Sequence, residues 1–530
     1  MNENNIKIPS NWILVTLEEI LSTIESGGRP KGGVRNIKDG IPSIGGEHLS
    51  NNGGFDFSNL RYIPKDFFEN MKRGKIKKYD VLVVKDGATT GKTSFVYDSF
   101  PFKEAAVNEH VFILRTNENV ALPKYLFFWM LSPFGQNSVK DNFQGTAQGG
   151  INTLFVKNSI IPIPPLSEQR RIVAKIEELF TKLDAGMEAL KKAKEQIKRY
   201  RQAVLKYAFE GKLTEEWRKS FELSILNDEL KQTQNPQLNT QHSTFNTQHS
   251  KFTTQNYEPA SVLLERIKEE RKKKLGKKYR ELPPVKASEL PELPEGWVWV
   301  RIGDVTEVAP EDNFSNLDPS LPTTFVPMSA IDEKTGTIKN PETLPLKDAC
   351  KGHTHFREND ILFARITPCM ENGKSAVATK LINGIGFGST EFIVIRPPRY
   401  ILPKFIFHFI RQETFRYKAK AHFKSTVGQL RVPKEFVINA EIPLPPILEQ
   451  HRIVEEIERR FSVVDEVEKA IDNNLKQAEQ LRQSILKMAF EGKLVPQDPT
   501  DEPAEKLLER IRDEKAKRES EKKVKKKGGR

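Results

Sequence analysis

The sequence predicts an α+β, mixed α/β protein. Two homologous strand-rich domains are separated by two long helices, which pack as an antiparallel coiled coil with pseudo-twofold symmetry. Three observations carry this prediction. Residues 161–213 recur at 442–494 with a constant offset of 281 and no gap, and 25 of the 53 positions are identical. In both copies apolar residues alternate four and three apart, the seam of a coiled coil rather than the broad stripe of a surface helix. Upstream of each copy lie short β-branched and aromatic runs separated by Gly, Pro and Asn clusters, which read as strands and turns. A period this long is a duplicated domain, since solenoid repeats run to tens of residues.

The duplication reaches past the helices. Pro9-x-x-Trp12 matches Pro294-x-x-Trp297, and 77–96 (KKYDVLVVKDGATTGKTSFV) parallels 357–378 (RENDILFARITPCMENGKSAVA). Residues 258–270 return at 502–514 with an offset of only 244, so the first copy holds 37 extra residues after its long helix. Most of them belong to QTQNPQLNTQHSTFNTQHSKFTTQN, a polar, aliphatic-poor tract that reads as an unfolded tether. The predicted organisation is a first domain at 1–165, a long helix at 166–213 and a polar linker at 214–257. A basic helix and connector at 258–291, a second domain at 292–446, a second long helix at 447–494 and a basic tail at 495–530 follow.

Each long helix is fenced by proline and glycine. Pro164-Pro165 and Pro445-Pro446 stop whatever precedes them. Ser167 stands as N-cap, and Gly211 and Gly492 end runs of about 43 residues, roughly 65 Å. The first seam reads Ile172, Ile176, Leu179, Leu183, Gly186, Leu190, Ala193, Ile197, Tyr200 and Val204. The second reads Ile453, Ile457, Arg460, Val464, Val467, Ile471, Asn474, Ala478, Leu481 and Ile485. Arg460 and Asn474 interrupt it, and polar groups at such positions can fix register. The economical partner of each helix is the other; the alternative lays each helix on its own domain.

In the globular halves, VLVVKDG, HVFILRT, ILFARIT and EFIVIRP have strand character, and short helices are predicted at 123–133 and 403–415. Residues 29–60 have no clear match around 314–350, the pattern expected where loops carry specificity on a retained scaffold.

Composition narrows the function classes. No apolar run approaches the ~18–20 residues of a membrane span, and the N-terminus lacks the form of a signal peptide. With only Cys350 and Cys369, disulfides do not hold this fold together, so a cytoplasmic setting is expected. Net charge is +13, of which residues 1–160 contribute +3 and 292–441 contribute +1. The rest sits in helices, linker and tails, notably Lys272–Lys274, Lys277, Lys278 and the terminal EKKVKKKGGR. Such runs are either solvated helix ends or attractors of phosphate backbones.

Two motifs invite chemistry and fall short of it. Asp86-Gly-Ala-Thr-Thr-Gly-Lys-Thr93 puts Asp86 where a phosphate-binding loop needs glycine, and the second copy departs further. A turn presenting Lys92, or Lys374, to a DNA phosphate fits better. Cys350-x-x-His353-x-His355 with Cys369 lacks thiol pairs at zinc spacing and is absent from the first copy, so it reads as a buried Cys with surface histidines. No methyltransferase, helicase or nucleophile motif recurs in both halves, and no metal site is expected. Catalysis is expected from partners.

The duplicated Ile-Pro-x-Pro-Pro-Leu/Ile-x-Glu-Gln-x-Arg-Ile-Val, leading into a helix that ends Leu-Lys-x-Ala-Phe-Glu-Gly-Lys-Leu, resembles the specificity subunits of type I restriction–modification systems. Glu295-Gly-Trp297, Ser26-Gly-Gly28, Gly40-Ile-Pro42, Arg61-Tyr-Ile63 and Asp80-Val-Leu-Val with Gly87–Lys92 support it. The chain departs from the family at Arg29, where Thr is more usual, and in the polar tether. The resemblance implies two target-recognition domains, each reading half of an asymmetric double-stranded DNA target, with the helices setting the spacer. It implies no cofactor in this chain. Two methyltransferase subunits would bring S-adenosylmethionine for adenine methylation, and motor-nuclease subunits would bring ATP and Mg.

Loop polarity nominates the base readers, since Arg, Lys, Asn and Gln suit major-groove edges. In the first domain these are Arg29, Lys31, Arg35, Lys92, Asn108, Gln144, Thr146 and Gln148. In the second they are Arg365, Lys374, Thr390, Lys424, Ser425, Thr426, Gln429 and Arg431. Each is also an ordinary surface polar group. The rival readings are a non-catalytic coiled-coil adaptor for protein or RNA and a self-sufficient nuclease or methylase.

Overall fold

Two half-buried arginines show how the strands of each domain are held. The computed structural model describes residues 8–34, 37–145, 149–223, 258–426, 428–510 and 512–513. Most of the predicted polar linker and the last half of the predicted basic tail lie outside those residues. In the first domain Leu21–Ser26, Val111–Thr116, Val81–Val84 and Thr93–Phe95 form one antiparallel sheet in that order. In the second, Glu307–Val308, Phe392–Arg396, Ile361–Ala364 and Ser375–Val377 do the same. Arg115 grips Asp80 through Nε and Nη2 at 2.6 and 2.9 Å, and Arg396 grips Asp360 at 2.8 and 2.7 Å. A forked guanidinium on a carboxylate fixes direction as well as distance, so the same strand pair is locked in both copies.

The segments with no sequence match share a topology. Ile41–Ile44 lies between Arg61–Ile63, antiparallel, and Ala106–Val107, parallel. Pro322–Val326 lies between Glu342–Pro345, antiparallel, and Ile385–Gly388, parallel. Divergence here changed the side chains and loop lengths but kept this three-strand arrangement, to which the second copy adds Thr354–Arg357 beside Ile385–Gly388.

Each predicted short helix is two. Pro123–Leu131 is followed by Pro133–Asp141, and Pro403–Ile410 by Glu413–Ala421. Pro133 can open a helix but not continue one, and Ser132 caps the second helix by accepting from the Gly135 amide.

The long helices span Leu166–Phe209 and Ile447–Phe490. Ser167 is therefore inside the helix rather than its N-cap, and its hydroxyl donates to Asp501. The repeated Glu-Gln is what secures the helix start. Gln169 accepts from the Leu122 amide at 2.9 Å and donates to the Val120 and Pro164 carbonyls. Gln450 likewise accepts from Leu402 and donates to Pro445. At the other end Gly211 and Gly492 take φ of +71° and +70°, and Lys212 and Lys493 amides return to the Tyr207 and Met488 carbonyls. A Cβ on either glycine would stand 2.3 Å from Pro294 or Pro9, so the opening proline of each domain seats against a helix end.

The chain forms two compact units, residues 1–192 with 471–530, and residues 193–470. The boundary cuts through both long helices. In the first unit Ile172, Ile176 and Phe180 share a core with Ile485, Leu486 and Phe490, around Tyr125 and Trp129. In the second, Val204, Leu205 and Phe209 join Ile453, Val454 and Ile457 around Phe405 and Trp297. Each long helix thus packs both on a globular domain and beside the other helix, which merges the two alternatives.

Pairing runs antiparallel. Asp184 meets Arg482 in the first unit, and Arg201 meets Asp465 at 2.5 Å in the second. Going up one helix goes down the other. Asp184 and Asp465 stand 281 residues apart, as do Arg201 and Arg482, so one ion pair is made twice with the copies exchanged. Its position corrects the predicted seam. Tyr200, Val467 and Leu481 are 43%, 47% and 50% exposed, and Gly186 and Asn474 are exposed too. One residue further on, Arg201 and Arg482 have side chains only 17% and 11% exposed, and Glu468 is buried. One row of the predicted seam holds, with Val464 and Ile471 buried, while in the other row hydrophobicity missed by one residue because polar side chains occupy it. Arg460 pairs with Glu456 of its own helix.

Candidate nucleic-acid interface

Three backbone segments converge at the same place in each domain. In the first, Val84 N–H donates to the Lys92 carbonyl at 2.9 Å and closes the 85–91 loop. Lys85 N–H then donates to the His110 carbonyl at 2.9 Å, and Ile151 N–H to Lys85 at 2.6 Å. Gln144 and Gly150 exchange both backbone hydrogen bonds, and Gly87 N–H reaches Gly149. In the second domain Ala364 N–H donates to Lys374, Arg365 N–H to Glu391 at 2.9 Å, and Val432 N–H to Arg365 at 2.8 Å. Strand Lys424–Thr426 pairs with Gln429–Arg431, and Thr367 N–H reaches Leu430. One backbone scheme carries two different sets of side chains.

This geometry gathers most of the nominated residues. Arg365, Lys374, Thr390, Lys424, Ser425, Gln429 and Arg431 all lie on the three converging segments of the second domain, as does the backbone of Thr426. Lys92, Asn108 and Gln144 lie on those of the first. Gln144, Thr390, Lys424, Ser425 and Gln429 are exposed, while Lys92 and Lys374 are half-buried. Arg29 reaches the first site by an ion pair with Glu109, and Lys31 is exposed in the turn that follows. Arg35, Thr146, Gln148 and the Thr426 side chain fall outside the described residues.

Two nominations change character. Asn108 is 5% exposed and its Oδ1 accepts from the His110 amide at 2.9 Å, which makes it the hinge of a turn rather than a reader. Arg431 gives Nε and Nη2 to Glu391 at 2.9 and 2.7 Å and ties the hairpin to the neighbouring strand. The reading from sequence missed Asp86, Glu109, His110 and Glu391, whose partners are up to 80 residues away in the chain. It also missed Tyr417, 77% exposed between Arg416 and Lys418 on the helix that leads to the hairpin. An aromatic within a basic run was the available signal.

The loop ending at Lys92 leads into strand Thr93–Phe95 rather than opening a helix, as a phosphate-binding loop would. Cys350 is exposed and Cys369 half-buried, which corrects the expected buried Cys; Cys350 ends the short helix Leu346–Ala349. His353 Nδ1 faces the Ala349 carbonyl, and His355 Nε2 accepts from the Asp312 amide. Among the described residues no three His, Cys, Asp or Glu side chains are grouped to hold a metal ion, and no helix is long and apolar enough to cross a membrane.

A family model described as the type I restriction modification DNA specificity domain matches residues 9–199 and again 294–477. The chain belongs to this family. It is 36% identical over 318 residues to the type I restriction enzyme EcoAI specificity subunit of Escherichia coli, covering 51% of this chain and 54% of that protein. It thus spans about half the length of the EcoAI relative, and likewise of the EcoEI specificity subunit at 53%. The EcoKI specificity subunit of E. coli K12 is 25% identical over 528 residues, covering 96% of this chain and 97% of its own. A solved chain from work on complex assembly and conformational transition of the type I R-M system shares the fold. Its TM-score is 0.56 at 19% identity, over 92% of this chain and 99% of that one. The two stretches matched by the specificity-domain model each join one strand-rich domain to most of its long helix.

Proposed function

We propose that this chain is the DNA-addressing subunit of a type I restriction–modification complex. It is a cytoplasmic, non-catalytic protein whose two domains each read one half of an asymmetric, interrupted double-stranded target. Two methyltransferase subunits then methylate adenine with S-adenosylmethionine, and motor-nuclease subunits cleave unmodified DNA with ATP and Mg. The observation that carries the reading is the duplicated three-segment platform with unlike side chains: Lys92 and Gln144 in one copy, Lys374, Lys424 and Gln429 in the other. Two copies of one geometry with different polar groups suit two different sequences. The family membership supports the same role.

A genome-wide map of adenine methylation in the host, with and without the gene, tests it. Loss of methylation at one interrupted, asymmetric motif is expected. An unchanged map while the partner methyltransferase is expressed contradicts the proposal.

A further inference from the structure

One side-chain chain crosses the first platform. Asp86 Oδ1 lies 2.5 Å from His110 Nδ1, His110 Nε2 lies 3.3 Å from Glu109 Oε1, and that oxygen is 2.9 Å from Arg29 Nε. The arrangement is built into the backbone. Gly27 N–H donates to the Asn108 carbonyl, and a Cβ at Gly27 would lie 1.6 Å from the Val107 carbonyl oxygen. Only glycine lets the Ser26-Gly-Gly-Arg29 turn close on residues 107–109. Glu109 Oε2 is buried with no partner among the described residues, so the carboxylate leans on Arg29 and His110 alone.

The consequence is a guanidinium fixed at its stem. Arg29 is held through Nε, its side chain is one-third exposed, and neither Nη group has a partner among the described residues. Arg431 differs, because Glu391 takes both Nε and Nη2 and Gln429 Oε1 lies 3.2 Å from Nη2. The free fork is the shape that reads O6 and N7 of guanine, and a guanidinium already aimed loses less freedom on binding.

We infer that Arg29 reads a guanine in the half-site addressed by the first domain, with Glu109, His110 and Asp86 as positioning residues. The inference rests on the DNA-addressing function proposed above. Methylation motifs are to be compared in hosts carrying the wild-type chain, Arg29→Ala, Arg29→Lys and Glu109→Gln, each with its partner subunits. Both Arg29 variants lose discrimination at one guanine position of one half-site by roughly tenfold to a hundredfold, and the other half-site is unchanged. Glu109→Gln relaxes the same position by less. Four results overturn the inference: a wild-type half-site with no guanine on either strand, an unchanged motif, an even loss of methylation across all positions, or a salt slope that falls by about 1 without any change of motif, the mark of a phosphate contact. If deleting the whole gene leaves methylation intact, the function fails; if deletion abolishes it but Arg29→Ala keeps the motif, only the inference fails.

Discussion

Position 128 and its counterpart 408 face the same place in the two domains with different chemistry. Phe128 packs edge-on to Phe180 at 5.8 Å, and His408 packs edge-on to Phe461 at 6.0 Å. Each of those rings carries an arginine, Arg482 over Phe180 and Arg201 over Phe461. The frame kept its rings, arginines and Asp partners through duplication, while a residue behind them was free to become polar. What the copies share holds domain to helix; what they do not share marks where each copy has gone its own way.

Glu168 and Glu449 sharpen that contrast most. Both are fully buried at equivalent positions. Glu449 accepts from Trp297 Nε1 at 2.7 Å and Thr214 Oγ1 at 2.6 Å and pairs with Arg218, while Glu168 accepts from the neutral amides of Gln497 and Asn11. Glu449→Ala strands the Arg218 charge, whose side chain is 14% exposed, and should cost about 3–5 kcal/mol. Glu168→Ala leaves neutral donors and an Arg171 that keeps its partner Asp501, and should cost about 1–2 kcal/mol. Urea unfolding followed by tryptophan fluorescence gives both numbers, and equal losses would break the comparison.

His408 comes next. Both ring nitrogens are buried with no partner among the described residues, and burial, with Arg411 and Lys404 adding to it, pushes its pKa down to about 3. The unfolded chain binds that proton near pH 6.5, so the unfolded state holds more protons between those values. The stability this residue allows at neutral pH is therefore lost as pH falls from about 6.5 towards 3. His408→Phe, which installs the residue of the other copy, should stabilise by about 1–2 kcal/mol at pH 7 and flatten the acid side of the curve. Melting temperature from pH 7.5 to 5 reads it.

The smallest effect concerns the repeated ion pair. Asp184 is 62% exposed and Asp465 42%, so each coupling should be only about 0.5–1 kcal/mol in a double-mutant cycle with Arg482 or Arg201. The Arg201 pair should be the stronger, because Asp465 is less exposed than Asp184.

Much of this architecture was legible because duplication writes it twice. The helix limits followed from Pro164-Pro165 and Gly211, and the strand runs from β-branched and aromatic stretches between Gly, Pro and Asn clusters. One row of the seam was legible, since Val464 and Ile471 are buried where expected; the other was not, because Val467 and Leu481 are more hydrophobic than the Glu468 and Arg482 that occupy it. Those charges belong inside only once their partners on the other helix are known. The shared small sheet was invisible for a related reason: 41–44 and 322–326 keep a topology, and hydrogen-bonded backbone leaves little trace in side-chain identity. Loop polarity found most residues of the platforms but could not tell Asn108, spent on a turn, from Gln144, exposed beside it. Pairs such as Arg29 with Glu109 exist only in the folded chain.

Exchange of residues 1–160 for the equivalent domain of another family member, followed by mapping of adenine methylation, tests the central claim most directly. The account predicts a new sequence in one half of the motif, with the other half unchanged. A change in both halves, or in neither while methylation persists, would contradict it.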